Sequence, residues 1–141
     1  MKKDFQVQIK ELADLTSSIS ILYIEDDKHL KEQNHELFQN LFKLVDIADN
    51  GVDAIKLYET NDYELVITDI NIPLLSGLNV IKQIKYKKPL QSILITSVFK
   101  EDELKKELED LHTIHYLTKP LETKTLLKEI EVIVKNLLTF A

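Results

Sequence analysis

The chain has no cysteine among its 141 residues. Disulfides, thiolate metal sites and cysteine nucleophiles are excluded together, and a reducing compartment fits the composition. Glycine occurs only twice and proline three times, so each one is informative about a turn. No apolar run is long enough to span a bilayer. The opening "MKKDFQVQIKEL" has two lysines with no apolar core behind them, which is not a secretory signal. The expected location is therefore the cytoplasm. Basic excess is missing too: the net charge is −6, which argues against nucleic-acid binding by this chain. Internal repeats and low-complexity tracts are also absent.

What remains is 44% hydrophobic and 30% charged, the balance of a folded globular protein. The length suits one domain. Residues 1–18 form a polar prelude in which Phe5, Ile9, Leu12 and Ala13 share one face of a short helix. These side chains either cover the domain's own flank, the simpler reading, or form part of a homodimer. From residue 19 onward two signals alternate. Short apolar runs occur at "ISILYI", "KLVDIA", "YELVITDI", "QSILITSV" and "TIHYLT". Between and after them, helical patterns cover roughly 28–42, 52–59, 78–86, 101–111 and 123–138. The last has the clearest stripe, with Leu126, Leu127, Ile130, Ile133, Val134, Leu137 and Leu138 on one side. Asn50 before Gly51 and Ser76 before Gly77 read as helix starts.

Five strands alternating with helices predict an α/β fold with a doubly wound parallel sheet covered on both faces. For five strands the expected order is 2-1-3-4-5, flavodoxin-like. In such sheets ligands bind outside the carboxyl ends of the strands, where the order reverses. Polar groups stand at those ends: Glu25 and Asp26 after strand 1, Asp69 after strand 3, Thr96 after strand 4 and Lys119 after strand 5. Strands 1 and 3 are neighbours in this order, so Asp26 and Asp69 converge. Clustered carboxylates form a hard oxygen site suited to Mg2+. A cation, an ammonium and a hydroxyl around one carboxylate are the parts that handle a phosphoryl group, and a carboxylate can itself be the nucleophile. Each piece has a plainer reading. Asp27 serves equally as a helix cap, and a single Thr or Lys at a strand end is usually scaffold. All four strand ends carrying a suitable group is what favours chemistry.

The segments "ILYIEDD" (21–27), "DINIPLLSG" (69–77), "ILITS" (93–97) and "YLTKP" (116–120) resemble the receiver domain of two-component response regulators. They stand in family order and spacing over nearly the whole chain, which places the receiver at 19–139 after an extension at 1–18. The resemblance implies Asp69 as phosphoacceptor, Asp26 as a direct Mg2+ ligand with Asp69, Glu25 as a ligand through water, and the Asn71 backbone carbonyl as a further ligand. It also implies Thr96 and Tyr116 as switch residues, Lys119 as the partner of the phosphoryl group, and a cis Lys119–Pro120 peptide. The implied phosphodonor is a sensor histidine kinase or a phosphotransfer protein. The implied output goes to a downstream protein or effector domain, through the face of the helix at 101–111, strand 5 and the last helix. No enzymatic activity is implied beyond Mg2+-dependent self-phosphorylation and self-dephosphorylation at Asp69. Where many members have a polar residue two positions after the switch threonine, this chain has Val98, which predicts shielding of the acyl phosphate and a long-lived phosphoryl state.

Rival readings fit the residues less well. A phosphohydrolase with an aspartate nucleophile wants an acid two residues on, where Asn71 stands. A flavin-binding fold wants phosphate-cradling amides after strand 1, where this chain has carboxylates. A receiver that acts without phosphorylation ranks above these two, although no core site residue is missing. His29, His35, His112 and His115 lack metal-ligand spacing, and the lysine cluster "KQIKYKK" at 82–88 reads as a solvated helix end.

Overall fold

The computed structural model describes residues 4–99, 102, 108 and 113–140. The chain begins with α1 (Phe5–Thr16), followed by β1 (Ser20–Ile24), α2 (Lys28–Gln39), β2 (Leu44–Ala48) and α3 (Gly51–Thr60). It continues through β3 (Leu65–Asp69), α4 (Gly77–Lys87), β4 (Ser92–Ser97), β5 (Ile114–Thr118) and α5 (Thr123–Phe140). The five strands form one sheet in the order β2-β1-β3-β4-β5, with every pair parallel. This is the doubly wound arrangement the sequence predicts. Of the helix expected over 101–111, only residues 102 and 108 are among the described ones, and Leu108 is buried in the layer under α3 and α4.

Side chains alternate across a strand, and here the alternation divides the core into two layers. Leu22, Ile24, Val66, Ile93, Ile95 and Ile114 turn to one face, where Ala54 and Tyr58 of α3 and Val80, Ile81 and Ile84 of α4 cover them. Ile21, Tyr23, Leu65, Ile67 and Leu94 turn to the other, against Phe38 of α2 and the α5 stripe. The stripe holds from Leu126 to Val134, but Leu138 at its end is 45% exposed. Both expected helix starts are present: Asn50 accepts from Asp53 N–H at 2.8 Å and Ser76 from Asn79 N–H at 3.3 Å. These caps satisfy backbone donors that a helix start leaves unpaired.

Two features depart from the sequence reading. The helix expected over 28–42 stops at Gln39, because Asn40 caps it and Leu41 and Phe42 turn inward to be buried. The Leu41 carbonyl then accepts from the Thr16 hydroxyl at 2.5 Å. That bond ties α1 to the end of α2, while Leu12 is buried among the α5 residues. The N-terminal helix thus covers the chain's own flank. Second, the lysine cluster is not uniformly solvated. Lys85 is buried, donating to the carbonyls of Pro89 and Gln91 at 3.2 and 2.5 Å and to the Thr113 hydroxyl. It follows Ile84 and lies one turn beyond Ile81, on the inward face of α4, and burial holds its pKa down to about 8.

Candidate functional site

The knot Glu25-Asp26-Asp27 resolves into two different jobs. Asp27 is a helix cap: its carboxylate accepts from Leu30 N–H at 2.9 Å. Glu25 and Asp26 instead stand at the mouth of β1. Because Ile24 pairs with Thr68 across the sheet, the chain beyond β1 emerges beside Asp69 at the end of β3. Carboxylate oxygens of Glu25, Asp26 and Asp69 lie within 4.8 Å of one another. Glu25 is 1% exposed and Asp69 7%, whereas Asp26 is open to solvent.

Lys119 arrives from beyond β5. Its backbone N–H donates to the Ser97 carbonyl at 2.7 Å, and the Lys119–Pro120 peptide is cis, as the resemblance implies. The ammonium lies 2.9 Å from Glu25 Oε1 and 2.9 Å from Asp69 Oδ2. Asp69 Oδ1 accepts from the Asn71 backbone N–H at 3.2 Å. Burial pushes the Glu25 carboxyl above its usual range, against the pull of Lys119. For Lys119, burial disfavours the ammonium, but hydrogen bonds to Asp69 and Glu25 outweigh it and its pKa is raised. Lys119 is therefore charged at neutral pH and bridges the two buried carboxylates. The sequence places this lysine at the site but gives no sign that Glu25 shares it.

Thr96 is the direct partner of Asp69 in the β3–β4 ladder and is buried. Tyr116 lies opposite Ile95 on β5 and packs, half-buried, against the layer under α3 and α4. The sheet thus brings Glu25, Asp26, Asp69, Thr96 and Lys119 together at one edge and holds Tyr116 one strand further out. Space at Asp69 is tight from below. A Cβ on Gly77 would stand 2.7 Å from Ile70 Cα and closer still to the Asp69 carbonyl oxygen. The glycine lets the first turn of α4 press against the end of β3.

Three carboxylates against one ammonium leave an excess of negative charge in a small volume. The donors are all hard oxygens, the set a hard divalent cation takes, and the exposed Asp26 leaves such an ion a route in from solvent. The cluster can hold a metal, and Asp69 belongs to it while also contacting the Lys119 ammonium.

The family model described as response regulator receiver domain matches residues 21–131; α1 lies before that span. The chain is 28% identical over 111 residues to the chemotaxis protein CheY of Halobacterium salinarum, covering 78% of this chain and 92% of that protein. It is 31% identical over 112 residues to the transcriptional regulatory protein DltR of Streptococcus agalactiae, covering 79% of this chain and 50% of that one. The chain thus spans about half the length of the DltR relative. Among solved structures, the N-terminal domain of an uncharacterized protein from Wolinella succinogenes matches with a TM-score of 0.77 at 27% identity, covering 88% of this chain and 100% of that one. CheY4 of Vibrio cholerae matches with a TM-score of 0.72 at 22% identity, covering 83% and 99%, a likeness of fold alone.

Proposed function

This chain belongs to the response regulator receiver domain family of two-component systems, and from that premise we propose that Asp69 is its phosphoacceptor, loaded by a sensor histidine kinase or a phosphotransfer protein. The observation that carries the reading is the Lys119 ammonium, fixed 2.9 Å from both Glu25 and Asp69 beside a carboxylate cluster. The receiver occupies residues 19–139, preceded by an extension at 1–18 whose helix α1 packs against it.

In this reading an oxygen of Asp69 attacks the donor's phosphorus. A P–O bond forms as the P–N bond of a phosphohistidine, or the P–O bond of acetyl phosphate, breaks. The leaving group keeps the electron pair, and an imidazole then takes its proton from water. Such transfer depends mainly on positioning and on neutralising the phosphoryl oxygens. Lys119 already stands beside the attacking carboxylate, so little reorganisation is needed as charge moves. Asp26 and Asp69 would hold Mg2+, with the Asn71 carbonyl and, through water, Glu25. When bound, Mg2+ supplies charge neutralisation for the transferred group.

Phosphorylation adds nearly two negative charges and three acceptor oxygens beside Thr96. The Thr96 hydroxyl turns to donate to them, Tyr116 follows, and the face that includes β5 and α5 changes for a downstream protein or effector domain. The two states pre-exist, and the phosphoryl group shifts their populations. The test is intact mass after incubation with acetyl phosphate. One phosphate is expected on the wild type with Mg2+, and none with a chelator or on Asp69→Asn. Folded wild-type protein that stays unmodified with Mg2+ present would sink the reading.

A further inference from the structure

Residues 70–76 connect Asp69 to α4, and they contain a strained turn. Leu74 has a φ of 70°, and the Leu75 N–H donates to the Pro73 carbonyl at 2.8 Å, closing a three-residue turn around it. A γ-turn with positive φ at its centre is rare and strained, more so for a leucine than for glycine. Leu74 is 79% exposed, so burial of its side chain does not offset the strain. Strain of this kind persists only where surrounding contacts impose it.

Those contacts come from two helices. Gly77, at the start of α4, donates to the Ile70 carbonyl at 3.0 Å and leaves no room for a Cβ against Ile70 and Asp69. Gly51, at the start of α3, donates to the Pro73 carbonyl at 3.1 Å. A Cβ there would stand 2.6 Å from the Leu75 Cβ and closer still to the Leu75 carbonyl oxygen. Both glycines of the chain therefore press on this one loop. The loop in turn touches the acceptor, since the Asn71 N–H donates to Asp69 Oδ1 at 3.2 Å.

We infer that residues 70–76 act as a relay from Asp69 to the first turns of α3 and α4, so that phosphorylation reshapes the groove between these helices as well as the face around β5. This rests on Asp69 being the phosphoacceptor. New phosphoryl oxygens compete for the Asn71 N–H, the loop shifts, and the strained turn at Leu74 has a lower-strain alternative to move towards. Since Gly51 and Gly77 allow no slack, the helix starts must follow. The groove between the two helices, of about 750 Å³, is lined by Glu59 near the end of α3 and by Asn79, Lys82, Gln83, Tyr86 and Lys87 along α4, with Tyr86 91% exposed, so a shift of the helix starts reaches it through the helices as rigid bodies.

Coupling between sites is reciprocal, which makes the relay measurable from both ends. Backbone amide NMR on the whole chain, titrated with Mg2+ and beryllofluoride as a phosphoryl mimic, should shift Thr96 and also residues 51–54 and 77–80. Leu74→Gly relaxes the resting turn and so favours the resting loop. Its apparent beryllofluoride affinity should fall about fivefold or more, although the variant leaves every carboxylate and Lys119 in place. Shifts at Thr96 with residues 51–54 and 77–80 unmoved, or an unchanged affinity in Leu74→Gly, would overturn the relay and leave the acceptor assignment standing. Absence of any shift, Thr96 included, would instead remove the acceptor reading beneath it.

Discussion

Replacing Asp26 with Asn probes the electrostatics of the site without removing a buried partner. Asp26 is exposed, and its carboxylate lies within 4.8 Å of those of Glu25 and Asp69. At that separation each like-charge pair costs about 0.9 kcal/mol in a water-like dielectric, the appropriate choice for an exposed group. Two pairs make about 1.7 kcal/mol, and Lys119, which contacts the other two carboxylates, offsets roughly half of it. Asp26→Asn should therefore stabilise the metal-free protein by about 1 kcal/mol. Mg2+ reverses the order. A ligand at a hundred times its dissociation constant stabilises the fold by about 2.7 kcal/mol, and the variant forfeits most of that gain. Urea unfolding followed by circular dichroism, in chelator and in Mg2+ titrations, should give curves that cross: variant ahead without metal, wild type ahead with it. The slopes with denaturant should match, since the surface exposed on unfolding is unchanged. A variant less stable in chelator, or one that responds to Mg2+ as the wild type does, refutes this picture of the cluster.

Three further outcomes follow from the same geometry and a fourth from the family resemblance. Lys119→Met strips the ammonium from two buried carboxylates and should cost about 3 kcal/mol at neutral pH. Glu25 then titrates still higher, so the variant keeps its stability in acid and loses it as pH rises through that raised pKa; a flat pH profile would contradict this. Lys85, held down to about 8 by burial, has the opposite sign. Between about 8 and its usual 10.5 the unfolded chain binds more protons, so stability should climb with pH there, and Lys85→Met should flatten the climb in pH-dependent melts. Leu12→Ala, at a position 4% exposed, should cost about 2–4 kcal/mol; a loss near zero would mean that α1 adds nothing to the core. Finally, on the family resemblance and not on the geometry, in which Val98 is 61% exposed, the phosphoryl group should persist well beyond seconds in purified protein with Mg2+, and Val98→Asn should shorten its life in a chase by intact mass.

The sheet was legible because each strand carries its own local signal. "LVI" (65–67) and "ILI" (93–95) are continuous apolar runs and lie buried between two helical layers. The caps at Asn50 and Ser76 were legible for the same reason, since a cap reaches only three residues ahead. Asp26, Asp69 and Lys119 could be placed at one edge once the strand order was assumed, because strand ends converge whatever the side chains do. Contacts between residues far apart in sequence left no such trace. The Glu25–Lys119 pair, the bond from Thr16 to the Leu41 carbonyl and the burial of Lys85 under Thr113 depend on how elements pack. A lysine with three acceptors is indistinguishable by type from one in solvent. Its position one turn beyond Ile81 was the available sign. The pressure of Gly51 on Leu75 is equally invisible: a glycine after Asn50 reads as a helix start, and space, not φ, is what requires it.

The central claim is that the phosphoryl group resides on Asp69, and borohydride reduction of the acetyl-phosphate-treated protein tests it most directly. Reduction converts a phosphoaspartate to homoserine, which sequencing of the tryptic peptides can locate, position 69 lying in the peptide spanning residues 57–82 and position 26 in the one spanning residues 11–28. Homoserine at position 69, formed only when Mg2+ was present during labelling, is the predicted result. Homoserine at position 26, or at any other carboxylate with Asp69 intact, would contradict the account.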